Sequence, residues 1–129
     1  MDRLRQRADF LAVANGARVN STAFTLQGRG RDDSGPIRVG FTVTKANGTA
    51  TERNRIRRRL REVVRLTGAM DMRPHHDYVL VGRRAALERG FAAMVDDLRN
   101  ALDRLDRQTT KGEARGRPAE RNERRDLDR

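Results

Sequence analysis

Residues 37–65 read IRVGFTVTKANGTATERNRIRRRLREVVR. The first eight alternate. Ile37, Val39, Phe41 and Val43 point one way from an extended chain and Arg38, Gly40, Thr42 and Thr44 point the other, which predicts a strand over Ile37–Thr44. The period then changes. Thr49 and Glu52 stand three apart, the spacing of a capping box. Ile56, Leu60, Val63 and Val64 then form one apolar stripe of a helix running to about Thr67, with Gly68 placed to end it. On the opposite side Asn54, Arg58, Arg61 and Arg65 line up, and Arg53, Arg55, Arg57 and Arg59 fill the flanks. Seven of the fifteen residues 51–65 are arginine and two are glutamate. Arginines one turn apart repel by a few tenths of a kcal/mol per pair, which a merely solvated face would avoid by alternating Glu with Lys. The helix reads as built to lie on a polyanion. Guanidinium forks suit phosphate oxygens, and the Asn54 amide can donate and accept toward a base edge or a 2′-hydroxyl.

Outward from this stretch, ADFLAVAN (Ala8–Asn15) predicts a short helix ended by Gly16, and TAFTLQ (Thr22–Gln27) a strand. GRGRDDSGP (Gly28–Pro36) reads as a loop. DYVLVGR (Asp77–Arg83) is a strand whose nearly continuous apolar run suits the centre of a sheet. Leu87, Phe91, Val95, Leu98, Leu102 and Leu105 recur at helical spacing and predict an amphipathic C-terminal helix. The order helix, strands, helix, strand, helix implies a small α/β (α+β) sandwich: three helices on one small, mainly antiparallel sheet.

The chain has 129 residues and a net charge of +11, a surplus that repels itself in the compact state and so points to an anionic partner. Composition divides it near residue 107. Residues 107–129 carry eight basic and five acidic side chains and almost nothing apolar, so the expectation is a domain over 1–106 and a basic disordered tail. Removing those from the 29 basic and 18 acidic groups of the whole leaves 21 and 13, so the domain is itself basic at net +8. There is no cysteine, which removes disulfides and thiolate metal sites and suits a reducing cytoplasm. No stretch of 18 apolar residues exists to span a membrane. The N-terminus MDRLRQRADF has no apolar core for a secretory signal.

The run Lys45-Ala46-Asn47-Gly48-Thr49-Ala50-Thr51-Glu52-Arg53-Asn54-Arg55-Ile56-Arg57-Arg58-Arg59-Leu60-Arg61 resembles the RNR signature of the bacterial ribonuclease P protein component. The similarity extends over about residues 3–106: Ala-Asp-Phe in the first helix, Arg-Val-Gly-Phe-Thr-Val-Thr-Lys, the RNR helix, Asp-Tyr-Val-Leu-Val and the last helix. The resemblance implies a left-handed strand–helix–strand crossover, against the usual preference. It implies a protein subunit that binds a catalytic RNA and helps remove the 5′ leader of precursor tRNA, the chemistry belonging to the RNA. Mg2+ would then be bound mainly by RNA subunit and substrate, with no cofactor, metal ligand or catalytic residue on the protein. Lys45, Arg53, Asn54, Arg55, Arg57, Arg58 and Arg61 match the family's RNA-contacting positions, and Arg65 continues the ridge.

The resemblance also implies a cleft between the first helix and the open sheet face that receives the single-stranded leader. Phe10 matches an aromatic lining it, and Arg38 and Thr42 share a sheet face that could floor it; Phe10 as plain core is an equal reading. The sequence departs from the family at Ala14 and Gln27, where aromatics are frequent, at Ala46 for a second lysine, and at Thr49 for a frequent Asn. A metal at His75-His76 with Asp71 and Asp77 is disfavoured, because adjacent histidines on an extended chain point opposite ways. Arg115-Gly116-Arg117-Pro118 matches the core of a minor-groove hook, a four-residue match that an arginine-rich tail produces by chance, and no DNA partner is expected. The basic helix lacks Trp and its apolar stripe is narrow, so no membrane partner is expected. Two function classes stand: the ribonuclease P subunit, and a non-enzymatic RNA- or DNA-binding protein of ribosomal or architectural type.

Overall fold

The computed structural model describes residues 2–67 and 71–116, the last eight of these as backbone. The elements are β1 (Asp2–Arg3), α1 (Arg7–Ala14), β2 (Ala17–Asn20), β3 (Phe24–Gly30), β4 (Arg38–Thr42), α2 (Ala50–Thr67), β5 (His76–Gly82) and α3 (Phe91–Gly116). Short 3-10 turns at Lys45–Asn47 and Arg84–Leu87 precede α2 and α3. The strands form one sheet in the order β1-β4-β5-β3-β2. β2–β3 and β3–β5 are antiparallel, and β1–β4 and β4–β5 are parallel, so the sheet is mixed. The apolar strand β5 lies at its centre, as its composition predicts.

Alternation decides what each sheet face carries. Phe24, Leu26, Val39, Tyr78 and Leu80 pack with Ile56, Leu60 and Val63 of α2 and Met94, Leu98, Leu102 and Leu105 of α3. On the other face Val79 packs with Leu4, Val13 and the half-buried Phe10 and Val81 under α1. A Cβ at Gly40 would come within 2.6 Å of Phe10 Cε1 and 3.0 Å of the Leu4 Cβ, so glycine is what lets α1 lie down on the sheet.

The hand of the β4–α2–β5 crossover follows from the hydrogen bonds. Asp2 and Leu4 donate their N–H groups to Ile37 O (2.7 Å) and Val39 O (3.0 Å), so Val39 turns its peptide groups toward β1. Its side chain faces α2. For an L-residue in a rising strand with its side chain toward the viewer, the residue's own N–H and C=O point right. β1 therefore lies to the right of β4 and β5 to its left, and the connection is left-handed, contrary to the general rule.

At the start of α2 the capping box forms: Thr49 N–H donates to Glu52 Oε1 (2.9 Å) and Glu52 N–H to Thr49 Oγ1 (3.2 Å). Gly48, at φ 140°, makes the turn before it. Gly68, expected to end the helix, lies outside the described residues. Leu87 belongs to the preceding 3-10 turn rather than to α3, whose first bond runs from Met94 N–H to Gly90 O (3.0 Å).

The structure departs from the sequence reading in its boundaries and in its short elements: β4 is confined to Arg38–Thr42, and β3 starts at Phe24 rather than Thr22. β3 runs on to Gly30, into the stretch read as loop. β1 and β2 were not expected. Residues 107–116, read as disordered from composition, continue α3. The Asp103–Arg107 pair (2.6 Å), one helical turn apart, bridges the boundary, and such local pairs carry a helix past its last apolar contact. Residues 117–129, including Arg117 and Pro118 of the hook-like motif, lie outside the described residues.

Candidate nucleic-acid interface

α2 is fixed by its buried stripe, Ile56, Leu60, Val63, Val64 and Thr67, and everything opposite faces outward. Lys45, Asn54, Arg55, Arg58, Arg61 and Arg65 are exposed, and Arg53 and Arg57 half-buried. Internal bonds hold several in place. Arg53 Nε donates to Gly48 O (3.2 Å), Arg57 Nη1 to Asn54 Oδ1 (2.7 Å), and Arg61 lies over the Phe41 ring, 5.6 Å from its centroid. Arg55 and Arg58 have no hydrogen bond or ion pair to another described side chain and flank a 230 Å³ hollow with Phe91.

The two carboxylates of α2 are both engaged. Glu52 is held at a pKa of about 2, first by the guanidinium of Arg84 (2.8 Å) and then by the Thr49 N–H. Glu62 is held below its ordinary value by its bond from Arg65 (Nε–Oε1 3.0 Å). The ridge thus keeps its positive face, while Arg65 starts out paired.

Arg59 is the exception among the arginines. It donates through Nε to Ala86 O (2.7 Å) and through Nη2 to Arg89 O, with its guanidinium 4.3 Å from the Phe91 centroid. It clamps α2 to the chain entering α3.

On the other sheet face, a cleft of about 500 Å³ opens between α1 and the sheet, lined by Arg5, Arg7, Phe10, Leu11, Ala14, Gln27, Thr42 and Val79 among others. Phe10 is both core and lining: one part packs on Gly40 and Leu4, and the rest faces the cleft. Thr42 lines it. Arg38 does not. Its guanidinium grips the fully buried Asp77 in two parallel bonds (Nε–Oδ1 and Nη2–Oδ2, each 2.8 Å), and its Nη1 lies 3.5 Å from Asp9. Arg31 Nη1 adds a third bond to Asp77 at 2.5 Å. Burial alone would raise the Asp77 pKa, but the bonds from Arg38 and Arg31 outweigh it and hold the carboxyl below its usual value.

The charge at the cleft comes instead from Arg5 and Arg7, which the sequence reading did not single out. Their only signal is the alternation of Arg3, Arg5 and Arg7 leading into α1. The histidines make loop contacts: His75 Nδ1 donates to Gly35 O (2.7 Å) and His76 Nδ1 to Pro74 O (2.8 Å).

A guanidinium ridge on one side of a sheet and an aromatic-bearing cleft with basic rims on the other define a small α+β RNA-binding protein. The ribonuclease P family profile matches residues 1–106. The ribonuclease P protein component of Gluconacetobacter diazotrophicus is 52% identical over 101 residues, 78% of this chain and 87% of that one. Its counterpart in Brucella suis is 43% identical over 130 residues, 95% and 88% of the two chains. The RNase P protein of Thermotoga maritima superposes with a TM-score of 0.67 at 28% identity, covering 81% of this chain and 97% of that one. The Staphylococcus aureus RNase P protein, at 23% identity and a TM-score of 0.65 over 80% and 94% of the chains, shares the fold. The chain belongs to the ribonuclease P protein component family, which supplies the protein subunit of the endoribonuclease that matures the 5′ end of tRNA. That decides between the two function classes. Among the described residues no helix is long and apolar enough to cross a membrane.

Proposed function

We propose that the outer face of α2 docks on the catalytic RNA subunit and that the cleft beneath α1 holds the single-stranded 5′ leader of precursor tRNA in the cytoplasm. The observation that carries this is the opposition of the two surfaces across one sheet: Asn54, Arg55, Arg58 and Arg61 face out from one side, and Phe10, Thr42, Arg5 and Arg7 line a cleft on the other. A protein so arranged holds catalyst and substrate at once and positions the bond to be cut relative to the RNA. It grips the leader, the part that distinguishes precursor from product. Bond cleavage stays with the RNA subunit, and Mg2+ with RNA and substrate. The acids nearest the ridge, Glu52 and Glu62, are each tied to an arginine, and no step is assigned to them.

Two measurements test this. If docking neutralises about five or six phosphates, log affinity for the RNA subunit falls against log salt with a slope of about −4 to −5. A slope near −1 would remove the ridge as the principal contact. For the leader, affinity of the holoenzyme for precursor tRNA should rise over the first several leader nucleotides and then plateau. Phe10→Leu keeps the packing on Gly40 but lacks a ring, and Phe10→Ala removes both. Each should flatten the rise several-fold, matching roughly 1 kcal/mol for one stacked base. Leader-length profiles identical to that of the unaltered protein would leave Phe10 as core only.

A further inference from the structure

The ring that opens α3 sits among the arginines of α2 rather than in the core. Phe91 stands one turn before Met94 and Val95 and two before Leu98, on the stripe that buries α3. Met94 and Leu98 are fully buried, yet Phe91 is 38% exposed, the one exposed ring among the four phenylalanines and one tyrosine of the chain. The Arg59 guanidinium lies over it, 4.3 Å from its centroid, and is fixed there by its bonds to Ala86 O and Arg89 O. The exposed part of the ring borders the 230 Å³ hollow whose other walls are Arg55, Arg58 and Arg59.

These three arginines stand at i, i+3 and i+4, on one side of α2. Of the seven arginines on that helix, five are engaged within the protein: Arg53 with Gly48 O, Arg57 with Asn54, Arg59 as above, Arg61 over Phe41 and Arg65 with Glu62. Arg55 and Arg58 make no hydrogen bond or ion pair with any described residue, and both are exposed beside Phe91. Cations alone suit a phosphate. Cations around an exposed ring suit an unpaired nucleotide, whose base stacks on the ring while its phosphates meet the guanidinium forks. A base inside a continuous duplex offers no such face, because its neighbours already cover it.

We propose that Phe91 is a stacking platform for one unpaired nucleobase of the catalytic RNA subunit, with Arg55 and Arg58 on the phosphates beside it. This rests on α2 docking on that RNA. It adds a requirement that the ridge alone does not make: the RNA element at the α2–α3 corner is a bulge, loop or junction with a base outside its helix, not the side of a duplex.

The chain contains no tryptophan, so Phe91→Trp places a single indole at the hollow. The original protein, Phe91→Trp and Phe91→Leu are each titrated with the RNA subunit over a range of salt, well below their melting temperatures. Phe91→Trp should bind within about threefold of the original, and its fluorescence should be strongly quenched by the stacked base. A continuous RNA duplex, bound through its phosphates, should quench it far less. Phe91→Leu should bind about tenfold more weakly with the slope of log affinity against log salt unchanged, since a stack releases no counterions. Arg58→Gln should instead reduce that slope by about one. Phe91→Leu binding within about twofold of the original, a changed slope for it, or an indole that stays bright on the RNA subunit would each overturn the platform. A slope near −1 for the original protein would overturn the docking of the ridge itself.

Discussion

Replacing Arg58 and Arg61 together with glutamate is expected to abolish assembly with the RNA subunit at physiological salt while leaving the circular dichroism of the free protein unchanged. Both side chains are exposed on the outer face of α2. Arg58 has no ion pair to a described residue, and Arg61 gives up only its place over the Phe41 ring, 5.6 Å away. Such an exposed contact contributes about 0.5–1 kcal/mol. Within the helix the change is close to neutral: a glutamate at 61 stands one turn from both Arg57 and Arg65, while one at 58 stands one turn from Arg55 but also from Glu62 and from the new glutamate at 61. Against RNA the effect is large. Two phosphate contacts and their counterion release disappear and two repulsions replace them, a loss on the order of 100- to 1000-fold in affinity. Unchanged RNA affinity in a folded double variant would sink the assignment of this face.

The second large effect concerns stability. Asp77→Ala is expected to destabilise the domain by about 3 kcal/mol, the low end for breaking a buried pair. It frees Arg38 from its fork and takes from the Arg31 guanidinium, itself only 7% exposed, its buried partner, leaving it Asp33 (3.2 Å) and the Pro36 carbonyl. Against a total of about 5–15 kcal/mol for a domain, that is a large share. Asp77→Asn keeps the shape and should lose less. The pH dependence has a definite sign. The folded pKa of Asp77 is lowered, so its contribution is present in full above the unfolded value, about 4, and fades as pH falls through the folded value. Below about pH 4 the original protein should therefore lose stability more steeply than Asp77→Asn. Thermal melts of the free protein across that range decide it, and parallel acid profiles for the two would mean that the carboxylate is not the charge that matters.

The ridge was legible from sequence because every signal for α2 is local: cap residues three apart, an apolar stripe at helical spacing, arginines on the remaining positions. β5 was legible because a strand covered on both faces is apolar throughout. The two short strands were not. Asp2–Arg3 has no side-chain pattern, and it is a strand only because the edge of β4 offers unpaired peptide groups. ARVN at 17–20 carries one buried residue, Val19, and is held by its register with β3. Arg38 shows the limit for sites. Alternation placed it on the correct face, but its partner Asp77 lies 39 residues away, and only the β4–β5 register reveals that the fork is already taken. Arg59 reads like its neighbours Arg57 and Arg58, yet its position around the helix turns it to the carbonyls ahead of α3.

The central place of β5 also sets the order in which a growing chain can fold. β3 and β4 are not neighbours; each pairs with β5, and β5 ends at Gly82. Until that strand has left the ribosome the sheet has no middle, and the apolar stripe of α2 has only part of the surface it finally covers. The arginines of α2 are made first, so a highly cationic helix is exposed in a cell full of RNA before the domain that orients it exists. Closure of the fold is therefore a late, long-range event, slower than its three helices would suggest. The same sequence that marks the RNA-binding surface must escape nonspecific RNA for as long as that strand takes to arrive.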